Sequence, residues 1–212
     1  MVDTISCGFP SSERRQRTDT FEKERFIFLH IPKCAGTSIN MNTLGFHVGH
    51  LGYRHYEGLL GAALRDYFIF SIVRHPESRF RSAYRFLKAG GMNATDRKAG
   101  EKLASLNDTL RLVANNQVKF IHFRRQVDFL MSSRGNLMLN YVHRMEDDPE
   151  NFFRVIRHYV GDFVADGVQR AMEPKNIRNA STAPKTSKAE DDLDLDLLRE
   201  VYDADFWRFD YT

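Results

Sequence analysis

The chain has 212 residues, 42% of them hydrophobic, and a net charge of +3. That is enough apolar material for one sizeable core, and too mild a charge for a long nucleic-acid track, so a basic cluster must face a small anionic ligand instead. The two cysteines, Cys7 and Cys34, have no CxxC spacing for a redox pair or a zinc site and fit a reducing, cytoplasmic setting, while no stretch approaches the ~20 apolar residues that span a bilayer.

Residues 1–25 are polar, show no period and lack the apolar core of a signal peptide, so a mobile or surface-bound leader is expected ahead of a single domain over 26–212. FIFLHI, from Phe26, is a short continuous apolar run that ends at Pro32, the pattern of a strand buried on both faces. GTSINMNTL after it starts a helix. FHVGHLGYRHY is expected as irregular chain before a helix over 57–65, and YFIFSIV, 67–73, is a second buried strand. Pro76 opens a helix in which Phe80, Ala83, Tyr84 and Leu87 share one face and Gly90-Gly91 stop it. The segment GMNATDRKAGEK is a polar connector, with helices expected over 101–114 and 117–131 and a third strand over 137–142. EDDPENFFRVIRHYVG predicts a capped helix with Phe152, Phe153, Ile156 and Tyr159 or Val160 inward and Gly161 closing it. A long polar loop then precedes a last helix over 193–202, and Phe206, Trp207 and Phe209 are expected to pack as core or lid.

Strand, loop and helix, repeated, imply an α/β fold of three layers, with a central parallel sheet flanked by helices and ligands at the carboxyl ends of the strands. Two loops fall there. In the first, the backbone N–H groups of Gly36, Thr37 and Ser38 converge at a helix start, where the dipole favours an anion. Gly36 lets that anion approach the backbone, Lys33 adds charge, and Thr37 and Ser38 add hydroxyl donors. The GxxxxGK[ST] signature of nucleoside triphosphate loops places its lysine after the last glycine, whereas Lys33 comes three residues before Gly36. In the second loop Arg74 ends a buried strand, and Ser82 follows on the next helix with Ser78, Arg79 and Arg85 on its polar side; a second phosphate suits that place. Arg81 and Arg85 are expected on a solvated face.

With both loops in view, FLHIPKCAGTS resembles the 5′-phosphosulfate loop, and IVRHPESRFRSAY the 3′-phosphate motif, of sulfotransferases that use 3′-phosphoadenosine 5′-phosphosulfate (PAPS). The nearest type is the carbohydrate one, similar to heparan sulfate 2-O-sulfotransferase and bacterial sulfotransferase family proteins. Gly49-His50, Asn116-Gln117 at a helix start, RMEDDPENFF, Asn179-Ala180-Ser181 and YDADFWRFDY extend the resemblance over nearly all the chain after the leader.

The resemblance implies a P-loop-type fold that holds PAPS, and its product PAP, without a metal. Lys33, Cys34, Ala35, Gly36, Thr37 and Ser38 would take the 5′-phosphosulfate, Arg74 and Ser82 the 3′-phosphate, and the Asn179 and Ser181 loop would close over the nucleotide. Cys34-Ala35 stands where Thr-Gly or a similar small pair is usual. His50 matches the family's catalytic histidine and Lys33 would steady the leaving group; His47, His55 and Glu57 are rivals for the base. His30 and His75 are expected to orient backbone. The implied reaction moves a sulfuryl group in line from PAPS to a hydroxyl or amine of a carbohydrate or other small acceptor, with no nucleic-acid partner. Its alternatives are a P-loop nucleotide kinase or NTPase, and a PAP- or PAPS-binding protein without transfer activity.

Overall fold

A computed structural model describes residues 23–173 and 193–212. Most of the leader, with Cys7, and the loop that carries Asn179 and Ser181 lie outside the described residues. In chain order the elements are β1 Phe26–Leu29, α1 Gly36–Thr43, α2 Tyr53–Leu60, a 3-10 segment Gly61–Asp66, β2 Phe68–Val73 and α3 Pro76–Lys88. There follow α4 Ala94–Glu101, α5 Leu106–Ala114, a 3-10 turn Ile121–Phe123, a helical turn Val127–Leu130 and β3 Tyr141–Arg144. The order ends with α6 Glu150–Tyr159, α7 Asp162–Met172, α8 Leu195–Val201 and α9 Asp203–Arg208. Among the described residues no helix is long and apolar enough to cross a membrane.

The chain forms two compact units. One takes the chain to Ile31, Ala35–Val73 and the stretch from Asp128; the other takes Pro32–Cys34, Arg74–Val127 and the C-terminal stretch.

The first unit holds the sheet, ordered β1-β2-β3 with both pairings parallel, Leu29 opposite Ser71 and Val73 opposite Arg144. This is the expected α/β arrangement of a parallel sheet flanked by helices. Its interior is aromatic: Phe28 and Phe70 lie 5.2 Å apart between ring centroids, and Phe152 of α6 meets Phe70 at 5.9 Å. The helix α7 was not foreseen, although Val164, Ala165, Val168 and Ala171 bury one face of it. It packs on α1 through Gly167, where an added Cβ would come within 2.7 Å of Thr43 Cγ2 and 2.8 Å of the Asn42 carbonyl oxygen.

Three expectations for this unit are corrected. The helix placed over 57–65 begins at Tyr53, because Tyr53 and Tyr56 bury its first turn, and it gives way at Gly61, whose φ of 52° is left-handed. The third strand is Tyr141–Arg144 rather than 137–142. Leu137 forms an isolated bridge to Met131, and the Asn140 side chain, not a strand peptide, accepts the Ile69 N–H at 2.7 Å. Of the alternatives Tyr159 and Val160 at the end of α6, Tyr159 is exposed and stacks on Phe68, while Val160 is half-buried.

The second unit packs α3, α5, α8 and α9 around Phe80, Ala83, Tyr84, Leu87, Leu110, Tyr202 and Phe206, so the predicted apolar face of α3 is the buried one. The polar stretch read as a connector is α4, opened by the Asn93 side chain, which accepts the Asp96 N–H. Its buried side is Asp96, Ala99 and Gly100, too small and polar to make an apolar stripe. Helix α5 starts at Leu106, capped by Ser105, not at 101. No helix fills 117–131, and Asn116-Gln117 follow the end of α5 instead of opening a helix; Asn116 takes a left-handed φ of 54°. Trp207 is 75% exposed while Phe206 and Phe209 are buried, so the expected aromatic cluster loses its tryptophan.

Candidate functional site

The candidate residues fall in both units. In the first, β1 runs into an irregular turn whose Ala35 (φ 58°) precedes α1. A left-handed φ costs an L-residue with a Cβ roughly 1–2 kcal/mol. Ala35→Gly is therefore expected to raise the thermal midpoint by roughly 2–4 °C, as about 1 kcal/mol does in a protein of this size; a lowered midpoint in thermal denaturation would count against strain at Ala35.

A Cβ at Gly36 would collide with the imidazole of His30, so the glycine makes room for a buried side chain. Asn40, also buried, hydrogen-bonds His30 Nδ1 at 3.3 Å. Of the three backbone donors at the start of α1, the Ser38 N–H is already given to the Ala35 carbonyl at 3.0 Å, and Ser38 itself is buried. Thr37 is half-buried.

Hydrogen-bond direction assigns the protons on the neighbouring histidines. The Gly49 N–H can only donate, so His47 Nδ1 accepts it at 3.0 Å; His47 Nε2 then carries the proton and donates to Thr37 Oγ1 at 3.3 Å. Burial lowers the pKa of His47, which favours this neutral form. The His30 carbonyl can only accept, so His50 Nδ1 carries a proton and donates to it at 3.2 Å. In a neutral His50 the basic nitrogen is then Nε2. The His30 and His50 rings lie 4.3 Å apart between centroids, and those of His30 and His47 5.1 Å.

The other two rivals for the base are placed differently. His55 is exposed and lies edge-on to Tyr56, and Glu57 Oε2 accepts the Ser133 N–H at 2.8 Å. Among the described residues no group of three or more His, Cys, Asp or Glu is disposed to hold a metal ion.

In the second unit Lys33, itself at a left-handed φ of 69°, sets its ammonium 4.0 Å from the centroid of the Phe86 ring. Arg74 Nη1 reaches the Lys33 carbonyl at 3.5 Å, so the two cationic residues meet. Burial first, and the Arg74 charge second, lower the Lys33 ammonium from 10.5 to about 8, while Cys34 and Asp96 oppose the shift. Ser82 is half-buried on α3. His75 packs edge-on against Phe206 and Tyr211.

Arg79 contradicts its placement on the polar side of α3. It is 1% exposed and donates to the carbonyls of His122 (3.1 Å) and Arg124. Arg81 is ion-paired with Glu77 at 2.8 Å, not simply solvated. Sequence reasoning also missed Gln126 and Asp205. Asp205, fully buried, accepts the Gln126 and Val127 N–H groups, each at 2.9 Å. Gln126 in turn holds Arg74 by both main-chain groups. No spacing rule could have found them, because their partners are 50 to 80 positions away.

The first unit defines an α/β protein with a parallel sheet flanked by helices. The sulfotransferase family model matches residues 53–212, more than half of the chain, so the chain belongs to the sulfotransferase family and is a transferase enzyme. The match includes Arg74, Ser82, Gln126 and Asp205; Lys33, Gly36 and His50 precede it. No curated protein and no solved structure matches the chain.

Proposed function

We propose that this chain moves a sulfuryl group from PAPS to a hydroxyl or amine of a carbohydrate or other small acceptor, with residues 26–212 acting as one catalytic domain. The observation that carries the donor is the meeting of Lys33 and Arg74. Two cations brought together, one of them desolvated enough to lose much of its basicity, are stabilised by a polyanion that neutralises both.

In this reading Lys33, Cys34, Ala35, Gly36, Thr37 and Ser38 line the 5′-phosphosulfate end, and Arg74 with Ser82 takes the 3′-phosphate. Because Thr37 Oγ1 receives the His47 proton, its own hydroxyl proton is available for donation to an anionic oxygen. Gly36 also shapes the loop by leaving room for the His30 ring. Asn179 and Ser181 belong to the same proposal on the strength of the resemblance alone.

His50 serves as base. Its Nε2 takes the proton from the acceptor hydroxyl as the acceptor oxygen bonds to sulfur and the bond from sulfur to the 5′-phosphate oxygen breaks. Lys33 stabilises the charge that develops on that leaving oxygen, and the products are a sulfate ester and PAP. A carbohydrate acceptor is preferred because the two loops and Gly49-His50 resemble the carbohydrate type.

The experiment is incubation of the full chain with sulfur-labelled PAPS and a panel of oligosaccharides, lipids and small alcohols. Label on a saccharide is expected. Tight PAP binding with no label transferred to any acceptor would replace this reading by a PAP-binding protein without transfer activity.

A further inference from the structure

We infer that Gln126 is a positioning residue for donor recognition: its buried side-chain amide clamps both main-chain groups of Arg74 and the thiol of Cys34, and thereby sets the Arg74 guanidinium beside Lys33.

Arg74 is the first residue after β2, where the strand ladder ends. Its N–H and C=O need partners once they are taken from water. A primary amide presents one acceptor and one pair of donors, the same complement as a neighbouring peptide. Gln126 uses it in that way: Oε1 accepts the Arg74 N–H at 2.9 Å, and Nε2 donates to the Arg74 carbonyl at 2.8 Å. The second lone pair of Oε1 takes the Cys34 Sγ–H at 3.4 Å.

The clamp is itself anchored. Gln126 is fully buried, and its own N–H is fixed by Asp205 Oδ2, while Arg79 holds the carbonyls of His122 and Arg124 just before it. One side chain thus joins the residue after Lys33 to the first residue after β2. Leucine or methionine would offer neither contact, and asparagine falls a methylene short of making both. Cys34, for which sequence spacing supplied no reason, is explained as the third arm of this clamp.

The inference rests on Arg74 being the 3′-phosphate residue, and the test separates the two. Calorimetry on the full chain measures affinity for PAP and for adenosine 5′-monophosphate, which lacks the 3′-phosphate, and the ratio of the two reports recognition of that group. Arg74→Ala is expected to reduce the ratio by roughly tenfold or more, the worth of a charge-assisted contact. Gln126→Met is expected to reduce it by most of the same factor with Arg74 intact, and the double variant to reduce it no further.

A ratio unchanged in Arg74→Ala overturns the assignment of Arg74. A ratio that collapses in Arg74→Ala but survives in Gln126→Met, whose melting temperature alone drops, overturns the inference, since a merely structural glutamine would behave so. Gln126→Asn, which keeps the amide and less of its reach, reads the same ratio should the methionine variant fail to fold; a wild-type ratio there overturns the inference equally.

Discussion

Lys33→Met is expected to weaken PAP binding by roughly 10- to 100-fold, the value of one charge-assisted contact to phosphate, and to lower turnover by a further ~10²-fold through the leaving group. The pH dependence is the sharper test. Binding an anion requires the ammonium form, and in the free protein that form is lost as pH rises through about 8. Affinity of the wild type should therefore be level near pH 7 and fall by up to about tenfold per pH unit above 8, as the proton must be taken up again on binding. In Lys33→Met the fall should vanish, because the titrating ammonium is gone. Calorimetry between pH 7 and 9.5 checks it, and a wild-type affinity that stays level to pH 9.5 would remove Lys33 from the anion.

His50→Ala should separate binding from chemistry. PAP affinity is expected within about twofold of wild type, and sulfate transfer reduced by about 10²- to 10⁴-fold, the usual worth of a positioned base. His47→Ala should do the reverse in kind. Its Nε2–H is committed to Thr37, so the loss should fall on donor affinity more than on turnover. Transfer unaffected in His50→Ala but abolished in His47→Ala would exchange their roles.

The parts legible in the sequence were those governed by short-range pattern. Phe80, Ala83, Tyr84 and Leu87 gave the buried face of α3, the two apolar runs gave β1 and β2, and Pro32 and Pro76 marked where loops leave the sheet or a helix begins. The parts that failed depend on partners far along the chain. Arginine is seldom fully buried, so Arg79 read as part of the polar side of α3; the carbonyls of His122 and Arg124, more than forty residues on, make its burial tolerable. The same contacts help hold 120–126 out of the helix that its composition suggested. Helix α4 was hidden because its buried residues are Asp96, Ala99 and Gly100, and periodicity sees only larger apolar groups. Helix α7 was a different kind of miss, since Val164, Val168 and Ala171 carry a helical spacing in plain view. At the site, loop chemistry selected Lys33 and Arg74, and the resemblance selected His50 ahead of His47, His55 and Glu57. What neither could give is the tautomer of each histidine, which depends on which nitrogen faces a donor and which a carbonyl.

The fit of the His30 ring over the Cα of Gly36 couples two positions by volume. A methyl group added at 36 therefore requires a smaller side chain at 30. Because the His30 carbonyl also anchors His50 through the main chain, a trimmed side chain at 30 would leave that anchor standing. The bulk of this loop can thus be redistributed between neighbours with the main-chain anchor of the proposed base kept, at the loss of the His30 ring packed against it.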